Sequence, residues 1–123
     1  MRVSREEFEA LVEAALEQLP EEFKAALDNV AVMVEEEPSD DDLEGVGIDP
    51  GDPERDELFG LYQGTPITER DTFYSGLPDR VLIYRGPILR ECDTRRQVIR
   101  EIRETVQHEL GHYFGLEEDE LPF

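Results

Sequence analysis

Apolar residues along this chain fall into two long stretches of helical spacing with three short β-branched or aromatic clusters between them. Phe8, Leu11, Val12, Ala15, Leu16 and Leu19 recur three and four apart, which predicts a helix from about Arg5 to Leu19. Ser4 followed by Glu7 supplies a capping box at its start, and Pro20 stops it. Glu21 to Leu27 adds a further turn or two, with Phe23, Ala26 and Leu27 facing inward. Val30-Ala31-Val32-Met33-Val34 is a strand, and its apolar residues on both faces predict a strand covered on both sides or placed centrally. Glu35-Glu36-Glu37-Pro38 ends it.

Residues 39–57 are rich in Asp, Gly and Pro and read as an acidic, solvated loop. Asp40, Asp42, Glu44 and Gly45 partly imitate a calcium loop, but the closing bidentate Glu would fall on Gly51, so the match fails. Leu58 to Tyr62 reads as a second strand and Gln63-Gly64-Thr65-Pro66 as a turn. Ile67 to Leu77 is a polar connection with Phe73 and Tyr74 packed. Arg80 to Arg85 is a third strand, closed by Gly86-Pro87. Asp93 or Thr94 then caps a long helix through Val98, Ile99, Ile102, Val106, Leu110 and Phe114, stopping at Gly115. The order predicts one α+β domain spanning residues 1–123.

Composition narrows the class. A chain of 123 residues can bury a core without disulfides, and its one cysteine, Cys92, excludes an internal disulfide framework. No apolar run approaches the ~20 residues of a membrane span, and the opening residues lack a signal peptide's apolar core, so a cytoplasmic protein is expected. The 32 acidic and 12 basic residues leave a formal net charge of −20. That field repels phosphate backbones and anionic membranes and favours cationic peptides or metal ions, although acidity that merely maintains solubility is the commoner case.

The last helix carries the chemistry. His108-Glu109-Leu110-Gly111-His112 has H-E-x-x-H spacing, and the chain's 2 histidines are both in it. Residues four apart on a helix lie about 5–6 Å apart at Cβ, so two imidazoles can converge on one zinc ion. At 3.6 residues per turn, Val98, Ile102, Val106, Leu110 and Tyr113 share one side. His108 and His112 lie well around from it, beside Glu101 and Thr105, with Glu109 between the two stripes. Neutral His108 and His112 would be ligands of Zn²⁺, which activates water and polarises a carbonyl. Glu109 would take the water's proton and hand it to a leaving amine. Without a third protein ligand the site would be weak. Gly115 can turn the chain back over the helix end, and Glu118 then occupies the third-ligand position of H-E-x-x-H-x-x-G-x-x-H proteases. Asp119 is the second choice, and an acidic, solvent-facing 117–120 tail is the alternative.

The chain resembles the small bacterial zincin-like metallopeptidases, or minimal zincins. The resemblance rests on Ser4 to Phe8, Asp28-Asn29-Val30, Gly60 to Pro66, Arg80 to Arg85 and His108 to Gly115. It implies a minimal zincin-like α+β fold, with a short sheet packed against an N-terminal helix and a C-terminal active-site helix. It also implies the motif H-E-x-x-H-x-x-G-x-x-D. His108, Glu109, His112 and Gly115 match, whereas Glu118 stands where the family usually has Asp. A Met-turn of the larger metzincins is not expected, since the only methionines are Met1 and Met33.

The leading expectation is a zinc-dependent peptidase acting on peptide or protein substrates, with the substrate added along the edge of the Arg80–Arg85 strand. Tyr84 or Tyr113 would be the candidate oxyanion donors. A partner or second copy would complete the open cleft. The alternative is a catalytically inactive zincin fold serving as a metal-dependent or metal-free interaction module. An acidic metal-ion buffer is a third reading, which would require several sites where the sequence shows one with nitrogen ligands.

Overall fold

The computed structural model describes residues 1–64 and 79–116. Helix α1 spans Arg5–Glu17, α2 Glu21–Ala26, strand β1 Val30–Glu35 and helix α3 Asp40–Gly45, followed by a 3-10 turn at Pro53–Glu57. Strands β2 (Gly60–Gln63) and β3 (Asp79–Tyr84) precede helices α4 (Arg85–Glu91) and α5 (Arg95–Tyr113). The Ile67–Leu77 connection and the 117–120 tail lie outside the described residues.

The sheet has the order β1-β3-β2, with β1 parallel and β2 antiparallel to β3. Two sequence expectations change here. Among the described residues β1 is an edge strand rather than a central one, with Ala31, Met33 and Glu35 exposed and Val30 facing the core. The central strand is β3, whose Val81, Leu82, Ile83 and Tyr84 are all buried. Both its edges are hydrogen-bonded, so β3 cannot add a peptide strand. β2 has a neighbour on one side only among the described residues.

One face of the sheet is covered by α1 and α5. Phe8, Val12 and Ala15 of α1 form a continuous core with Val98, Ile102, Val106 and Leu110 of α5, together with Val30, Val81 and Ile83 of the sheet. The periodicity that predicted both helices is therefore the periodicity of this core. Ser4 accepts a hydrogen bond from the Glu7 backbone N–H at 3.1 Å. The Glu7 carboxylate, however, pairs with Arg95 of α5, so the predicted box becomes a tie between the two helices.

The other face is covered in part by α3, where the sequence predicts a loop. Asp and Gly are weak helix formers, which hid it. Ser39 caps the helix by accepting from the Asp42 N–H, and Asp40, Asp41 and Asp42 complement the dipole of its first turn. Tertiary contacts do the rest. Leu43 is fully buried, and Asp42 accepts from Tyr84 Oη at 2.8 Å and from Gln63 Nε2 at 3.0 Å. Helix α4 was hidden differently. Gly86-Pro87 reads as a strand stop, yet Pro87 occupies the first turn, where a helix needs no N–H donor.

Gly60 sets how close α5 comes to the sheet. A Cβ there would lie 2.5 Å from Thr105 Cγ2 and 2.8 Å from the Leu82 carbonyl oxygen. Gly60→Ala is therefore expected to destabilise the fold by about 1–3 kcal/mol in urea unfolding, as overpacking does. Adding Thr105→Ser, which deletes the clashing methyl, should recover part of that loss; no recovery would show that the Leu82 contact governs alone.

Tyr84 generates a second prediction. Burial, the Asp42 hydrogen bond and the nearby Asp42, Glu35 and Glu109 carboxylates all push its hydroxyl pKa above the ordinary 10.0. A folded-state pKa above the unfolded value stabilises the protein fully below pH ~10 and loses that stabilisation as pH rises through the folded value. Unfolding free energy should fall above pH ~10, and Tyr84→Phe should flatten that fall in urea titrations at pH ~8 to ~11.

Candidate active site

Helix α5 is fixed at both ends. Thr94 and Gln97 form a reciprocal capping box at its start, one of the two caps expected from the sequence. At its end Gly115 has φ +85°, the left-handed conformation that glycine adopts without a Cβ penalty. The Gly115 N–H donates to the His112 carbonyl at 2.9 Å and the Leu116 N–H to the Gly111 carbonyl at 3.0 Å, the paired bonds of a Schellman stop.

That stop also serves His112. It returns the Leu116 carbonyl to within 3.2 Å of His112 Nδ1. A carbonyl oxygen only accepts, so in this hydrogen bond Nδ1 is the donor and Nε2 is the ring nitrogen on the Glu109 side. His108 stacks edge-on against His112, with ring centroids 5.4 Å apart. Glu109 is 8% exposed, and its Oε2 lies 3.7 Å from His112 Nε2. One donor atom from each of His108, Glu109 and His112 lies within 4.8 Å of the others. Among the described residues this is the one cluster of metal-ligand side chains so arranged. The three residues singled out in the motif are thus brought together. Glu118 and Asp119 lie outside the described residues.

The two candidate oxyanion tyrosines are largely withdrawn from solvent. Tyr84 is fully buried and donates its hydroxyl to Asp42 of α3. Tyr113 packs its ring against Tyr62 and Phe114 and is 6% exposed.

A groove of about 410 Å³ opens beside His108 and Glu109. Its walls are Glu104 and Thr105 of α5 on one side and the segment Glu57 to Leu61, leading into β2, on the other, with Val46 at its edge. Tyr84 N–H donates to the Phe59 carbonyl at 2.9 Å. By the alternation of an antiparallel ladder, Phe59, Leu61 and Gln63 direct their backbone groups toward β3, and Gly60 and Tyr62 direct theirs to the opposite edge of β2. Sequence reasoning missed this edge, although a glycine inside a strand, Gly60, is a signal of close backbone approach. The Leu116 carbonyl had no such signal, because any residue carries one.

Comparison with known proteins agrees with this geometry. A profile of zincin-like metallopeptidases matches residues 27–122. A conserved hypothetical protein of known structure from Thermus thermophilus is 28% identical, with 91% of this chain and 94% of that one covered and a TM-score of 0.56. No curated protein matches the chain. Among the described residues no helix is long and apolar enough to cross a membrane. With the family match extending over most of the sequence and including the His108–Glu109–His112 cluster, the chain belongs to the zincin-like metallopeptidase family.

Proposed function

We propose that this chain is a zinc-dependent peptidase in which His108 and His112 hold the metal, Glu118 completes the protein's ligand set and Glu109 is the general base. The convergence of three donor atoms within 4.8 Å carries the reading. The donor set suits zinc, which favours imidazole nitrogen and carboxylate oxygen in catalytic sites. When bound, zinc supplies a water of lowered pKa and polarises the scissile carbonyl.

The protein's own groups supply the rest. The Leu116 carbonyl holds the His112 ring in one orientation and one tautomer. Glu109, largely withdrawn from solvent, takes the proton of the attacking water on a carboxylate oxygen and delivers it to the leaving amine. The substrate peptide lies extended in the groove between α5 and the Glu57–Leu61 segment. Glu118 follows Gly115 by three residues, a reach that the turn at Gly115 favours.

Tag-free protein supplied with a slight excess of zinc should retain about one equivalent after gel filtration, measured by atomic absorption. His112→Ala should lower the affinity by more than the ~10–100-fold that loss of an outer-shell partner costs. Absence of zinc from the wild type would end the peptidase reading. Glu109→Gln should keep its zinc and lose ~10²–10⁴-fold in cleavage of an unbiased peptide library. Equal cleavage by both proteins, or none by either, would favour the inactive interaction module.

The helix stop provides an independent check. Gly115→Ala forces an alanine into the left-handed region at a cost of about 1–2 kcal/mol and should loosen the Leu116 carbonyl from His112. Zinc affinity is expected to fall roughly 10–100-fold. Gly115→Asn, which tolerates that conformation, should keep most of it; identical losses for the two variants would detach zinc binding from the stop.

A further inference from the structure

The groove beside His108 and Glu109 is chemically one-sided. Leu58 is partly exposed and Val46 is 41% exposed, which gives the groove an apolar surface. Glu57 and Glu104 line it as well, both exposed, and no arginine or lysine is among its described lining residues. Among the described residues neither of these two glutamates forms an ion pair.

Eight of the basic residues are placed elsewhere. Arg5, Lys24, Arg85, Arg90 and Arg95 pair with acids of α1, α2, the end of β1 and the 3-10 turn. Arg96, Arg100 and Arg103 line a different cavity, together with Gln18. At 3.6 residues per turn they form one stripe of α5, roughly a quarter turn from the stripe that carries Glu101, Glu104 and His108. The helix thus presents its positive side away from the groove and its negative side into it.

We propose that this groove selects an extended peptide segment bearing an arginine or lysine, with the aliphatic stem against Leu58 and Val46 and the cationic head on Glu57 and Glu104. Such side chains combine an apolar stem with a charged tip, the same pairing of surfaces that the groove offers. A volume of about 410 Å³ is within the roughly 300–1,000 Å³ of ordinary ligand pockets. The inference rests on the peptidase reading only in taking the ligand to be a peptide lying along β2.

The test is binding, measured without cleavage. Fluorescein-labelled alanine-based hexapeptides carrying one arginine, one citrulline or one glutamate are titrated by anisotropy against Glu109→Gln protein. Wild type stripped with EDTA serves as a second background should that variant misfold. At low ionic strength the arginine peptide should bind roughly fivefold to tenfold tighter than its citrulline isostere, and about 0.5 M NaCl should remove most of the difference. Glu104→Gln should abolish most of this preference and Glu57→Gln part of it. Glu13→Gln, an equal change of net charge on α1 outside the groove, should leave it intact. Equal binding of the arginine and citrulline peptides, including binding of neither, would overturn the proposal. So would a Glu13→Gln variant that loses as much as Glu104→Gln, since the whole-molecule field would then be the cause. Selective binding combined with no cleavage by the zinc-loaded wild type would remove the peptidase reading and leave the groove's preference standing.

Discussion

The packing of α5 against the sheet is the constraint on which the other features depend. Val98, Ile102, Val106 and Leu110 are each completely buried, and a side chain of this kind contributes about 1.5–3 kcal/mol when removed from water. Those contacts fix the rotation of the helix about its axis, and the missing side chain at Gly60 fixes its distance from β2. Each residue step turns the helix by about 100°, so the core face and the His108–His112 face cannot be set independently. The histidines are oriented by hydrophobic packing on another side of the same helix. The Schellman stop then sets the remaining freedom, the rotation of the His112 ring.

How much of this was readable without the structure depended on whether the cause was local. Strong local signals survived. Asp93-Thr94 announces the start of α5, where Thr94 proves to be the cap, Gly115 announces its end, and the three- and four-residue spacing of its apolar positions gives its inward face. The clustering of His108, Glu109 and His112 was readable for the same reason, since three residues on adjacent turns of one helix need no distant partner to be brought together. Elements held by distant partners were not readable. Helix α3 is six residues of Asp, Leu, Glu and Gly, and it stands because Leu43 is buried and Asp42 meets Tyr84, forty-two positions later in the chain. The β1 and β3 runs looked equally apolar, and only pairing order distinguishes the edge strand from the central one. The register that brings Val30 opposite Asp79 and Gly60 opposite Ile83 is set by the assembly of the sheet, which no window of sequence contains.

A formal net charge of −20 invites a global explanation for any preference for cations. At physiological ionic strength the Debye length is about 8 Å, so charges farther than that from a bound peptide contribute little beyond accelerating its arrival. A long-range field also acts on the peptide's total charge and cannot distinguish one residue position from the next. Positional discrimination requires charges within a few ångströms of one side chain, in a place where solvent is partly excluded and no counter-ion of the protein's own intervenes. The exposed acids of α1 and α2 fail that requirement, since several are matched with Arg5, Lys24 or Arg95. Glu57 and Glu104 differ from them, because they line a groove together with Leu58 and Val46, have no ion-pair partner among the described residues, and lie apart from Arg96, Arg100 and Arg103 of α5, which line another cavity. Among the described residues the same partition leaves the His108–Glu109–His112 cluster without an arginine in the groove beside it. Among the described residues the distribution of the basic side chains, more than the surplus of acidic ones, therefore gives this groove its chemical character.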